Sequence, residues 1–163
     1  MAYLRGAGCA YQLNMSDFQR ILVPIDFSEG SREAIRCALS LSRSSTTLTL
    51  LHVYEPPAAM EGIVPGADRK KDTDNERGAL RAEMEALAAE LGAKHTSQIQ
   101  IALAEAPIVA AILNYAAAEK VEVIVMGSHG RTGLRRLLMG SIAEGVVRWA
   151  KCSVITVHSP ATE

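Results

Sequence analysis

Apolar residues along this chain follow two alternating patterns. Short runs rich in Val, Ile and Leu, typical of buried strands, alternate with segments in which apolar residues recur every three or four positions, as on one face of a helix. The predicted strands are Arg20–Ile25, Thr46–Tyr54, Gln98–Leu103, Val121–Met126 and Ser153–His158. The predicted helices are Ser31–Ser42, Glu76–Leu91, a third that begins near Pro107, and Gly140–Lys151.

This alternation predicts the fold class. Five strands separated by four helices indicate an α/β protein with an open, five-stranded parallel sheet, Rossmann-like, with helices on both faces. The longest connection, Glu55–Asn75, contains several Pro and Gly residues and then the charged run Asp68–Asp74. Such a connection is usually functional or mobile. We interpret it as the moving part of a switch, with a solvated linker as the alternative.

The composition indicates one soluble domain. The chain has 163 residues, enough for one core and too few for two ordinary domains. We expect residues 1–15 to be an extension outside the core and residues 16–163 to form the domain. No apolar run approaches the ~18 residues of a membrane span. The three cysteines lack C-x-x-C spacing, which suits reduced thiols in a cytoplasmic protein. The net charge of −1 argues against nucleic acid or a membrane as the main partner.

The residues after the fourth strand carry the candidate chemistry. The strand runs into Gly127, a loop with Gly130 and three arginines follows, and Gly140-Ser141 begins the last helix. Glycine lets a ligand approach the backbone closely. The unpaired N–H groups and positive dipole end of a helix N-terminus attract anions. The spacing G-x2-G-x9-G-S therefore predicts a phosphate cradle, whereas the P-loop and G-x-G-x-x-G motifs are absent.

This spacing, with a first strand that runs into Pro-Ile-Asp-Phe-Ser and a second that contains Leu-His-Val, resembles the ATP-binding branch of the universal stress protein family. The resemblance runs from about Arg20 to His158. It implies ATP as the cofactor, with Mg²⁺ or Mn²⁺ held through the phosphates. The chain departs from the family at Glu105, where a glycine often precedes the third helix.

The resemblance also implies which residues bind the nucleotide. Gly127, Gly130, Gly140 and Ser141 match the residues that line the triphosphate. Asp26 matches the acid that contacts the ribose. Further residues matched to the pocket are Pro24, Ile25, Val53 (which borders the adenine through its main chain), Met126, His129, Arg131 and Ile142.

A geometric argument agrees with the resemblance. If Asp26 and Gly127 touch one ligand, the first and fourth strands must be neighbours. This requirement gives the strand order 3-2-1-4-5, with a topological switch point between strands one and four. Ligands of open α/β sheets bind at the carboxyl ends of the strands at such a point.

Several of these residues also have a purely structural interpretation. Ser141 begins the sequence Ser-Ile-Ala-Glu144, a capping box in which the serine would be the N-cap. Asp26 is either the ribose contact or only a cap for the first helix. His52 lies in an apolar strand, and we expect it to be a core histidine with a satisfied ring. His129 is either a phosphate contact or a solvated loop residue. Among the loop arginines, Arg131 is a better candidate than Arg135 or Arg136, which we expect to face solvent.

The sequence lacks the H-E-x-x-H, G-x-S-x-G and H-x-G-H signatures of enzymes. The function predicted is therefore a nucleotide-responsive regulator in stress response, with no dedicated catalytic activity. One alternative is a slow ATPase or self-phosphorylating enzyme. The other is a dimeric, partner-binding protein with an empty pocket. The last strand, Ser153–His158, is an apolar sheet edge without a protective charge in its interior, so we expect a homodimer formed through it.

Overall fold

The structure is a computed structural model, and it describes residues 18–54, 69–129 and 139–158, of which residues 69–73 are described by their backbone alone. Strands and helices alternate along these residues. In chain order they are β1 Arg20–Ile25, α1 Glu29–Leu41, β2 Thr47–Tyr54, α2 Arg69–Gly92, β3 Gln98–Glu105, α3 Ile108–Ala118, β4 Val123–Gly127, α4 Ser141–Trp149 and β5 Ser153–Val157.

The five strands form one parallel sheet in the order β3-β2-β1-β4-β5. The predicted fold class and strand order are confirmed. No helix in the described part of the chain is long and apolar enough to cross a membrane. The segment 1–15 lies outside the described residues.

A different pair of helices packs on each face of the sheet. Successive side chains of a strand point to opposite faces. Ile21 and Val23 of β1 accordingly pack with Met84 of α2 in one cluster, which also contains α1. Leu22 packs with Ile112 of α3 in the second cluster, which also contains α4. All five side chains are at most 1% exposed. Burial of each stabilises the fold by about 1.5–3 kcal/mol.

The switch point lies between β1 and β4. These strands pair in parallel through Ile21↔Val123 and Leu22↔Ile124. The helix that follows β1 packs on one face of the sheet, and the helix that follows β4 packs on the other. Because the chain leaves the two strand ends in opposite directions, a crevice is expected between them.

The start of α2 differs from the prediction. The helix begins at Arg69, so most of the charged run Asp68–Asp74 is helical and does not belong to the long connection. Arg, Lys and Glu favour helix, but a start that is polar on every side gives no apolar period to detect. The remainder of the connection, residues 55–68, lies outside the described residues.

Candidate functional site

Asp26 lies directly after β1 and is tied to the start of α1. Its Oδ1 accepts hydrogen bonds from the Ser28 amide, at 3.1 Å, and from the Ser28 hydroxyl. The Ser28 hydroxyl oxygen accepts in turn from the amide of Ser31, at 3.3 Å, and caps α1. Phe27 has φ of 62°, in the left-handed region, where the chain turns away from the strand. Asp26 is therefore not the cap of α1. It orients Ser28, which is the N-cap.

His52 is satisfied by the main chain, as expected. Its Nδ1 lies 2.8 Å from the carbonyl oxygen of Ile25. A carbonyl only accepts, so Nδ1 carries the proton and donates. The ring also packs against Phe27, with centroids 5.1 Å apart. His52 thus joins the carboxyl ends of β1 and β2 and supports the turn that carries Asp26.

An apolar wall lies on the α3/α4 side of the sheet, at the carboxyl ends of the strands. Met126 of β4 is 5% exposed and belongs to the core on this side. Val53 of β2 and Ala104 of β3 pack against it and are half-buried, as is Ile142 in the first turn of α4. Pro24 is also half-buried and, by the alternation along β1, faces the same side.

Ile25 and Gly127 each have a role in the packing of the fold. The side chain of Ile25 points to the α1/α2 side, away from this wall, and is 5% exposed. A Cβ at Gly127 would lie 2.9 Å from the carbonyl carbon of Gly30 and 3.1 Å from its oxygen. The glycine at the end of β4 therefore allows α1 to approach the strand. This close packing explains it without a ligand.

The end of β4 is also joined to β5 and α4 through Ser128. The Ser128 amide donates to the carbonyl of Val157, and its carbonyl accepts from the amide of Gly140, both at 2.8 Å. Its side chain is 2% exposed. The hydroxyl lies 3.0 Å from Nδ1 of His129 and also hydrogen-bonds Nδ1 of His158. His129 is thus held by a neighbour and is not simply a solvated loop residue.

No side chain among the described residues caps the start of α4. The N-cap is Gly140, with φ −73° and ψ 154°, and Ser141 is the first helical residue. The capping box predicted for Ser141 is therefore wrong, because a serine must occupy the N-cap position to make it. Within the part of the chain that the structure describes, no hydrogen bond is made by the amides of Ser141, Ile142 or Ala143. These amides lie where Ser128 holds the start of α4 against the end of β4.

Not every predicted site residue can be placed. Gly130, Arg131, Arg135 and Arg136 lie outside the described residues. Ser128 and His158, conversely, were not among the predicted site residues. Their proximity follows from the register of β4 and β5, since Met126 pairs with Thr156 and Gly127 with Val157, so the next pair is Ser128 and His158.

Glu105, the departure from the family pattern, has a partner. The hydroxyl of Tyr54 donates a hydrogen bond to its carboxylate across the ends of β2 and β3. This hydrogen bond is the main cause that raises the pKa of Tyr54, and burial adds to it. Both side chains belong, by alternation, to the α2 side of the sheet, opposite the apolar wall.

A family model described as the universal stress protein family matches residues 17–158. The chain belongs to this family. It is 30% identical over 151 residues to the universal stress protein MJ0531 of Methanocaldococcus jannaschii, an alignment that covers 90% of this chain and 85% of that protein. It is 29% identical over 147 residues to the universal stress protein YxiE of Bacillus subtilis, covering 86% of this chain and 99% of that protein.

Solved universal stress protein structures share the fold. UspA from Lactobacillus plantarum superposes with a TM-score of 0.72 at 24% identity, over 86% of this chain and 97% of that one. A universal stress protein crystallised in complex with cAMP superposes with a TM-score of 0.64 at 21% identity, over 88% of this chain and 98% of that one. At these identities the likeness concerns the fold alone.

Proposed function

We propose that this universal stress protein binds ATP in the crevice between β1 and β4 and acts as a nucleotide-responsive regulator in stress response. The uncapped start of α4 carries the proposal. Three consecutive amides, of Ser141, Ile142 and Ala143, have no partner among the described residues, and they lie at the topological switch point. Unpaired amides at a helix N-terminus suit the oxygens of a phosphate group.

Two further features support a nucleotide over a simple anion. The apolar wall at Pro24, Val53, Met126 and Ile142 suits a flat, largely apolar base. Asp26, held by Ser28, supplies a carboxylate next to the same crevice, where ribose hydroxyls could donate to it. A base, a sugar and a phosphate thus each have a chemically matched surface at this crevice.

The divalent ion is assigned to the phosphates. Among the side chains of residues 18–54, 74–129 and 139–158, no group of three or more His, Cys, Asp or Glu is placed to hold a metal. Mg²⁺ is commonly bound through substrate phosphates and only one or two protein carboxylates. Mg²⁺ or Mn²⁺ would therefore enter with ATP and neutralise its charge. A universal stress protein of the same fold has been crystallised in complex with cAMP, itself an adenine nucleotide, and we propose adenine as the base for this crevice too.

We also propose a homodimer formed through β5. Among the described residues, the strand is at the edge of the sheet and pairs with β4 alone. The Ser153 amide donates to the carbonyl of Glu122, and the Val157 carbonyl accepts from the amide of Ser128, so both point toward β4. By alternation, the N–H and C=O groups of Val154 and Thr156 point to the outer edge. Trp149, at the end of α4 just before this strand, is 66% exposed. An unpaired edge beside an exposed tryptophan suits a second copy of this chain.

Thermal unfolding tests the binding proposal. ATP with Mg²⁺ at about 100-fold excess over Kd should stabilise the protein by about 2.7 kcal/mol, a rise in Tm of roughly 5–10 °C for a chain of this length. The protein should also release adenine nucleotide when it is purified without added ligand and denatured. No shift with any adenine nucleotide at millimolar concentration would contradict the proposal.

A further inference from the structure

Ser128, His129 and His158 form a hydrogen-bonded group that reaches from the start of α4 to the end of β5. The buried Ser128 hydroxyl lies 3.0 Å from Nδ1 of His129 and also bonds Nδ1 of His158. The two imidazole rings have centroids 6.1 Å apart. His129 is half-buried, and His158 is exposed. The sequence motif contains His129 but not His158, which lies 29 residues later in the chain.

The single proton of the serine hydroxyl limits how this group can be protonated. A hydroxyl donates one hydrogen bond and accepts up to two. Among the described residues, the Ser128 hydroxyl contacts no acceptor other than the two rings. If the hydroxyl uses its proton within this group, it donates to Nδ1 of one ring, and the other ring donates from its own Nδ1. Two neutral imidazoles in this arrangement must have opposite tautomers, and the ring that accepts from Ser128 carries its proton on Nε2.

The location of the group indicates which ring accepts. The Ser128 carbonyl holds the amide of Gly140, so the group lies beside the uncapped amides of α4. His129 directly precedes the loop that contains Gly130. A phosphate oxygen only accepts hydrogen bonds, so a neutral ring next to it is useful when it presents an N–H. His129 presents Nε2–H when its Nδ1 accepts from Ser128.

We infer that Ser128 and His158 are positioning residues for His129. His158 donates from Nδ1 to Ser128, and Ser128 donates to Nδ1 of His129. His129 is thereby held in the tautomer whose Nε2–H donates to a phosphate oxygen of the ligand at α4. This inference rests on the proposed ATP site and adds His158, at the end of β5, to the residues that support it.

Two substitutions at the exposed His158 separate positioning from folding. His158→Phe keeps an aromatic ring but removes the Nδ1 donor. His158→Asn keeps an N–H close to the position of Nδ1. Calorimetry should show that His158→Phe binds ATP with Mg²⁺ about three- to tenfold more weakly, the worth of one hydrogen bond. Its affinity for adenosine should be unchanged, and His158→Asn should bind ATP within about twofold of the wild type.

The tautomers can be read directly by ¹⁵N NMR of the imidazoles in mildly alkaline buffer. Opposite tautomers in the nucleotide-free protein, with Nε2 of His129 protonated when ATP is bound, would support the inference. The same tautomer on both rings would overturn it. So would equal losses for ATP and adenosine in His158→Phe, or no loss at all. If the wild type binds no adenine nucleotide, the proposed function fails, while the tautomers of the nucleotide-free protein still decide whether the hydrogen-bonded chain exists.

Discussion

The backbone of Gly30, in the first turn of α1, lies against Gly127 at the end of β4. A Cβ at Gly127 would stand 2.9 Å from the Gly30 carbonyl carbon. Real Cβ atoms do not approach backbone this closely, so the two segments would have to move apart. The glycine that begins the phosphate motif therefore also sets how closely the two elements on either side of the crevice approach each other.

Gly127→Ala should consequently destabilise the fold, apart from any effect on a ligand. We expect the free energy of unfolding to fall by about 1–3 kcal/mol, as for other overpacked sites. Gly78→Ala is the matched control, because a Cβ at this exposed position in α2 would meet nothing within 4 Å. That variant should gain about 0.5–1 kcal/mol from helix propensity. Urea unfolding measures both, and equal stabilities for the two variants would contradict the packing described here.

Thr156→Pro should separate the proposed dimer. The amide of Thr156 points to the outer edge of β5, so proline removes a hydrogen bond to a second copy and leaves the β4–β5 pairing intact. Thr156→Val, which keeps the amide and the size of the side chain, should remain a dimer. Sedimentation velocity distinguishes the species. A dimeric Thr156→Pro, or a wild type that is monomeric at micromolar concentration, would show that β5 is not the interface.

The fold could be predicted because the strands are apolar runs of Val, Ile, Leu and Ala, and each of the first four is followed by a helix. The strand order needed one more step, the assumption that Asp26 and Gly127 face one crevice. The start of α2 could not be predicted, since Arg69–Asp74 is polar on every side and helix there leaves no apolar period. Helix propensity alone is a weak signal in so short a stretch.

The candidate site was predictable only where it is local in sequence. The N-cap of α4 was misassigned by one residue, because Gly140 and Ser141 are both good N-cap residues and the choice depends on the backbone angles. The contact of Ser128 with His158 spans two strands and depends on their register. No local motif contains that information.

The most direct test of the ATP site is the removal of one backbone amide at the start of α4. Ser141→Pro removes the amide at the first helical position, where proline is well tolerated, and the extended Gly140 before it suits a following proline. Ser141→Pro also removes the serine hydroxyl, and Ser141→Ala, which keeps the amide, measures the effect of that loss alone. Glu29→Pro is the control, since it places proline at the first position of α1, after the equally extended Ser28.

Calorimetric titration with ATP and Mg²⁺, and separately with adenosine, then decides the question. An amide bonded to a charged phosphate contributes about 1.5–3 kcal/mol, so Ser141→Pro should weaken ATP binding about tenfold to a hundredfold. Ser141→Ala should lose less, Glu29→Pro should bind as the wild type does, and adenosine affinity should be unchanged in all three. ATP binding by Ser141→Pro that equals the wild type would contradict the central claim that the start of α4 holds the phosphates.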